Sequence, residues 1–256
     1  MSSTKPFFST HTFPLVIAHR GFSEIAPENT LAAFHKAIEV HVDMIELDVR
    51  LSADNDFIIF HDKRLERTSN GHGVLKNKTT EELLQVDNGS WFSQQFSSER
   101  ISLLEKVFPF TKKNVLLNIE IKPDVVSTDS ISVAEKIVSL IHKKKIKKKI
   151  IITSFNYSMV KEIKELDNNI FTGIIYNPLS FRRSPSQLLE LSKADIFVCS
   201  KYQVNKDVVN DIHSKNYSIY VYGISSERDV RRMFNLGVEG LIANNPAFVK
   251  EILQSL

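Results

Sequence analysis

The chain of 256 residues has a single cysteine, Cys199, so no disulfide can form within it and stability must come from a packed core. That thiol sits in the strand-like run Asp195-Ile196-Phe197-Val198-Cys199, where a small buried hydrophobe is the expectation, and its isolation fits a reducing compartment. No apolar run approaches the roughly 18 residues of a membrane span, and Met1 to Pro14 holds no apolar stretch of signal-peptide length. A cytoplasmic protein without stable membrane insertion is expected. Charge imbalance is also small: the net charge is +3, and most of the excess lies in His142-Lys143-Lys144-Lys145-Ile146-Lys147-Lys148-Lys149. Without that run the chain is near neutral or acidic, so no nucleic-acid partner is expected. The run itself reads as a solvated helix end, where lysines complement the helix dipole; a patch for peripheral contact with an anionic membrane or for nucleic acid is its alternative reading. Repeats and other low-complexity segments are absent.

What is present is ordinary for a globular protein, 42% hydrophobic and 25% charged residues, at a length that suits one large core. Strand-like and helix-like runs alternate. The strand-like runs are 15–19, 43–51, 114–121, 149–154, 170–176, 195–199, 217–223 and 240–243, eight in all. Leu31, Phe34, Ala37 and Ile38 recur at helical spacing behind Pro27-Glu28-Asn29-Thr30, a turn and cap. Amphipathic segments near 102–109, 128–142, 156–166, 186–192, 204–215 and 226–236 fill the later gaps. The run 57–61 follows strand two after only five residues, too few for a parallel crossover, and therefore returns as a hairpin. The expectation is one α/β domain over 1–256, an eight-stranded parallel (β/α)8 TIM barrel with a small insertion, about 52–100, after strand two.

Charges interrupt the apolar runs where strands end. His19 and Arg20 close Leu15-Val16-Ile17-Ala18, and His61 closes Phe57-Ile58-Ile59-Phe60. Glu46 and Asp48 fall two apart in Met44-Ile45-Glu46-Leu47-Asp48-Val49, and Glu120 and Lys122 are likewise two apart; residues at that spacing share one face of a strand. Buried carboxylates in such company need a cation. Glu46, Asp48 and Glu120 offer the hard oxygen ligands suited to Mg²⁺ or Ca²⁺, while zinc would favour nitrogen or sulfur. A salt-bridge network with Arg20 and Lys122 is the competing reading. Arg20 and Lys122 suit a phosphate, and His19 and His61 are candidate proton carriers. Together they form an inventory for phosphoester cleavage.

The ordered series His19-Arg20-Gly21, Pro27-Glu28-Asn29-Thr30, Glu46-Leu47-Asp48, His61-Asp62, Gly89-Ser90-Trp91-Phe92 and Ile119-Glu120-Ile121-Lys122 resembles the glycerophosphodiester phosphodiesterase family. The resemblance implies a barrel with a small insertion bearing the second histidine and a divalent metal held by the three acids. It implies His19 and His61 as general base and acid, and hydrolysis of glycerophosphodiesters, of lipid and glycerol metabolism, to glycerol 3-phosphate and an alcohol. The substrate is then a small molecule. Phe22 and Tyr222 join Arg20 and Lys122 as candidate substrate contacts, and Phe155 is a further candidate for an apolar pocket. His35 and His41 read as surface or cap residues, His72 as loop, and Trp91 as packing the insertion onto the barrel.

The later third departs from the family pattern: Tyr222-Gly223 stands for a Trp-Thr, Ala243-Asn244-Asn245-Pro246 for a Thr-Asp-x-Pro, and Ser102-Leu103 for a Pro-Thr. These departures touch the expected alcohol pocket, because an aromatic wall and a carboxylate are missing from the mouth. Two alternatives stand beside the diesterase. A lysophospholipase D would use Phe22, Phe155 and the lysine run for a lipid tail and its surface. A catalytically silent phosphate-binding barrel should have lost a histidine or an acid, and this chain has lost neither.

Overall fold

The structure, a computed structural model, describes residues 14–178 and 183–256; the segment before Pro14, where no leader is expected, lies outside them. β1 (Leu15–His19), α1 (Leu31–Glu39) and β2 (Met44–Leu51) open the chain. An excursion follows, with β3 (Phe57–Ile59), α2 (Thr80–Leu84) and β4 (Ser102–Leu103). The alternation then resumes as β5 (Leu116–Ile121), α3 (Val133–Lys144), β6 (Ile150–Ser154), α4 (Tyr157–Leu166) and β7 (Phe171–Ile175). It continues through α5 (Pro185–Ser192), β8 (Ile196–Ser200), α6 (Lys206–Ser214), β9 (Ser218–Ile224), α7 (Glu227–Leu236), β10 (Gly240–Ala243) and α8 (Pro246–Gln254).

β1, β2 and β5 to β10 pair in parallel, and the β1–β2 pairing closes the ring into an eight-stranded barrel. β3 pairs antiparallel with β2 and then with β4, which is the hairpin that the five-residue linker demands. Two apolar layers result. Leu15, Ile17, Met44, Leu116, Ile151 and Tyr220 are among the side chains that fill the barrel interior; the opposite strand faces pack against the helices. Gly240 makes room for this plug, since a Cβ there would lie 2.5 Å from the Tyr220 ring. Capping residues start the helices. Thr30 accepts from Ala33 N–H, capping boxes open α3 (Ser132, Glu135) and α5 (Ser184, Gln187), and proline begins α5 and α8.

Some elements differ from the pattern. The amphipathic segment at 102–109 is a short strand followed by a 3₁₀ run, Leu104–Lys113, because Pro109 lacks the N–H that an α ladder needs. α8 follows the last strand, where spacing assigned nothing. Cys199 is buried in the outer core, and burial pushes its thiol up to about 12, the behaviour of a core residue. The lysine run joins α3 to the start of β6, the barrel end opposite the strand C-termini, and part of it is already paired: Lys144 with Glu105, Lys147 with Asp167. Among the described residues no helix is long and apolar enough to cross a membrane.

Candidate active site

Parallel register brings the charges of adjacent strands to one level. His19 aligns with Glu46, which aligns with Asn118; Asp48 aligns with Glu120, which aligns with Thr153. Inward-facing positions of β1, β2 and β5 therefore meet at the C-terminal mouth, the catalytic end of such barrels. One ligand atom from each of Glu46, Asp48 and Glu120 lies within 4.8 Å of the others. Lys122 Nζ is 2.6 Å from Asp48 Oδ1 and 2.6 Å from Glu120 Oε1, Arg20 Nε is 3.1 Å from Asp48 Oδ2, and the Arg20 backbone N–H donates to Glu46 Oε2 at 2.9 Å.

The salt-bridge alternative is thus partly realised, yet it does not balance the site. Burial and the neighbouring Asp48 push the carboxyls of Glu46 and Glu120 up. Burial acts the same way on Asp48, but Lys122 and Arg20 outweigh it and hold that carboxyl well below its usual range. Two cations satisfy one acid and leave two others favouring a proton or another positive charge. Asp48 Oδ1 is buried and, although in ion-pair reach of Lys122, has no aligned hydrogen bond. An all-oxygen donor set with excess negative charge fits a hard divalent cation.

The loops after β1 hold these groups in place. Arg20 and Gly21 both take positive φ, 56° and 82°, and a Cβ on Gly21 would meet Ala33 at 2.7 Å. That turn aims the Arg20 guanidinium at Glu28, 2.7 Å away, as well as at Asp48. Asn29 clamps Asp48 twice, donating to Oδ2 at 2.8 Å and accepting its backbone N–H at 3.1 Å. The Pro27-Glu28-Asn29-Thr30 motif is more than a turn and cap: its middle residues orient Arg20 and Asp48.

The histidines have unlike supports. His19 Nδ1 lies 2.6 Å from Asn244 Oδ1, and His61 Nδ1 lies 2.5 Å from Asp62 Oδ1. Both sit below the usual histidine value: burial leads in each case, reinforced by Arg20 for His19, and for His61 acting against the attraction of Asp48 with Lys122 and Arg20 on its side. His19, Arg20, Glu46, His61, Glu120 and Lys122 line one cavity of about 200 Å³, closed on the other side by Phe155, Ile175, Val198, Tyr222 and Ile242. An adjoining open cleft shares His61, Glu120, Lys122 and Phe155 with it.

Among the residues expected at the site, Tyr222 and Phe155 line the cavity and Phe22 does not. Phe22 is buried in the outer core; its N–H bonds Ala33 O, because the left-handed Arg20-Gly21 turn carries the chain away from the mouth. Asn244 is exposed directly after β10 and touches His19, outside the cavity lining, so that departure bears on a proton carrier as well. Trp91 is 42% exposed, stacks edge-on against Phe92 within the excursion and donates from its indole N–H to Asn88 O. His35 leans on the Phe110 ring, and His41 and His72 are solvent-facing. Glu28, Asn29, Arg67, Asn118 and Asn244 were not singled out for their contacts by spacing; an asparagine or acid beside a charged strand end was the one available signal.

The glycerophosphoryl diester phosphodiesterase family model matches residues 19–248. The chain is 33% identical over 233 residues to a glycerophosphodiester phosphodiesterase of Caldanaerobacter subterraneus subsp. tengcongensis, covering 91% of this chain and 94% of the relative. It is 28% identical over 249 residues to one of Bacillus subtilis, covering 91% and 84%. The fold superposes on an Oleispira antarctica phosphodiesterase solved with the product sn-glycerol-3-phosphate, with TM-score 0.83, 27% identity, and coverage of 94% of this chain and 97% of that one. With its barrel, its acidic cluster and a match over nearly its whole length, this chain belongs to the glycerophosphoryl diester phosphodiesterase family.

Proposed function

We propose that the protein hydrolyses glycerophosphodiesters to glycerol 3-phosphate and an alcohol. The observation that carries this is the convergence of His19, His61, Arg20, Lys122, Glu46 and Glu120 on one small cavity, with Asp48 buried beside the two acids. The relative solved with sn-glycerol-3-phosphate supports the same product class. Arg20 and Lys122 bind the phosphoryl oxygens, Arg20 through its fork and Lys122 as a point charge. One histidine takes the proton of the attacking hydroxyl, a neighbouring substrate hydroxyl that is already positioned, and the other protonates the leaving alkoxide; water then opens the cyclic phosphate. Glu46, Asp48 and Glu120 would hold Mg²⁺ or Ca²⁺, which supplies Lewis-acid charge stabilisation when bound. Burial holds both imidazoles below their ordinary value, which suits the one that accepts the hydroxyl's proton; the one that protonates the alkoxide enters the step carrying its proton. Tyr222 and Phe155 shape the alcohol side.

The lipid-tail reading keeps Phe155, which lines the cavity, but loses two of its three supports, since Phe22 is buried away from the cavity and the lysine run lies at the opposite end of the barrel. The buried lone thiol suits a cytoplasmic site of action on soluble diesters. The test is release of glycerol 3-phosphate from glycerophosphocholine and from lysophosphatidylcholine, each with and without EDTA. EDTA-sensitive release from the soluble diester alone is expected; release from the lipid alone would overturn the reading.

A further inference from the structure

Arg67 lies outside the cavity lining, on the excursion, yet it touches both arms of the charged cluster. Its Nε is 2.5 Å from Asp62 Oδ2 and its Nη2 3.1 Å from Asp62 Oδ1. On the other side Nη1 donates to Glu28 Oε2 at 3.0 Å and Nη2 to Glu28 Oε1 at 2.7 Å. Each of those carboxylates bonds a site residue in turn: Asp62 Oδ1 is 2.5 Å from His61 Nδ1, and Glu28 Oε1 accepts from Arg20 Nη1 at 2.7 Å. Arg20 then reaches Asp48. A continuous series runs His61, Asp62, Arg67, Glu28, Arg20, Asp48. It links the excursion, the β1 loop and β2.

We propose that Arg67 is a positioning residue that fixes the His61 ring and the Arg20 guanidinium relative to each other through Asp62 and Glu28. This rests on the proposed reaction for its kinetic readout, though not for its geometry. A lone exposed ion pair contributes little, but here one planar fork makes two contacts to each of two carboxylates, which defines their orientation as well as their distance. Lysine can supply the charge without that geometry. The barrel side holds each group only in part: Arg20 Nε reaches Asp48 on β2, and Arg50 Nε of β2 donates to the His61 backbone carbonyl at 2.9 Å, which fixes the backbone and not the ring. The bridge through Arg67 is the side-chain link that sets the His61 ring against the Arg20 fork. The chemistry needs both at once, because phosphate bound by Arg20 must present its leaving oxygen or its attacking hydroxyl to His61.

The experiment compares Arg67→Ala, Arg67→Lys, Asp62→Asn, Glu28→Gln and the Arg67→Ala/Asp62→Asn double variant of the full chain. Readouts are kcat and KM for glycerophosphocholine, thermal midpoints, and ¹⁵N–¹H correlation of the His61 ring. Losing a support behind a working group costs about 10- to 100-fold, so Arg67→Ala should lower kcat by about that factor, and Arg67→Lys should recover only part of it. Glu28→Gln, which leaves the Asp62 arm standing, should act mainly on KM. The double variant should be no slower than Arg67→Ala by more than about twofold, because both changes break one series. The His61 Nδ1–H signal of the wild type should be lost or shifted in Arg67→Ala, a change that a merely stabilising ion pair would not make. Arg67→Ala with kcat within about twofold of wild type, or multiplicative losses in the double variant, would overturn the proposal. So would an unchanged His61 ring signal. If the wild type itself released no glycerol 3-phosphate, the reaction would be at fault, and the ring signal alone would decide the role of Arg67.

Discussion

The strands before Pro123 and those after it contribute opposite things to the same cavity. β1, β2, β5 and the excursion bring His19, Arg20, Glu46, His61, Glu120 and Lys122; β6 to β10 and their loops bring Phe155, Ile175, Val198, Tyr222 and Ile242. Crowding the charges into three adjacent strands lets cations and acids compensate one another across a single register step, where a scattered set would leave each buried charge alone. The apolar wall then lowers the local dielectric, which strengthens every interaction on the charged side. One half carries the ionisable groups and the other shapes the space around them.

The largest break in that contrast should come from the acids. Glu46→Gln or Asp48→Asn removes a candidate metal ligand, several kcal/mol of charge stabilisation or about 10³-fold in rate, and EDTA on the wild type should mimic both. Full turnover in protein stripped of divalent ions would mean the acids form a salt-bridge network and nothing more. The histidines come next. His19→Ala and His61→Ala should each lower kcat by about 10²-fold or more while the thermal midpoint stays close to wild type. Under saturating metal, an active variant at either position would exclude that imidazole from proton transfer.

The contrast also explains which features were legible in the chain. Charges inside apolar strands are conspicuous, so His19, Glu46, Asp48, Glu120 and Lys122 stood out, and period-two alternation was enough to say that they share a face. Lining residues on the other half, such as Ile175 and Val198, look the same as core and carry no such mark. Loop contacts were hidden for a different reason: Arg67 and Glu28 are 39 residues apart, His19 and Asn244 are 225 apart, and nothing local pairs them. Phe22 misled through its nearness to the His19-Arg20 pair, because two consecutive positive-φ residues reverse the chain just before it. Strand boundaries came within a residue or two since each strand is buried on both faces, whereas the 3₁₀ run at Leu104–Lys113 depended on where Pro109 fell.

Acid should act on the charged half in a way a variant can isolate. Asp62 is held down to about 2 from 3.8: burial opposes this, and its bonds to Arg67 and His61 prevail. A depressed folded value stabilises the fold above the unfolded value and loses that contribution as pH falls from 3.8 toward about 2. Urea midpoints followed from pH 5 to 2.5 should therefore fall less steeply in Asp62→Asn than in the wild type. Parallel curves would show that Asp62 contributes nothing to folding.

The smallest effect should lie on the neutral half, in the choice of alcohol. Tyr222 takes the place of a tryptophan, a poorer surface for a quaternary ammonium, and beside it stand Phe155 and aliphatic residues. The rim acids of the open cleft are committed: Asp62 to His61 and Arg67, and Asp124 to Arg50. Lys63 and Arg64 on the same rim add positive charge. A choline head group thus meets weak aromatic attraction and no free carboxylate on the rim of the open cleft, Glu46 and Glu120 belonging to the candidate metal set, while a glycerol or ethanolamine head group loses little by comparison. Selectivity falls to the glycerol phosphate end, held by Arg20 and Lys122. Values of kcat/KM for the choline, ethanolamine and glycerol diesters should agree within about 100-fold, roughly 2.7 kcal/mol in transition-state binding, and Tyr222→Phe should move all three together. A larger preference for the choline diester, or a Tyr222 variant that changes it alone, would give the neutral half a recognition role that its chemistry does not suggest.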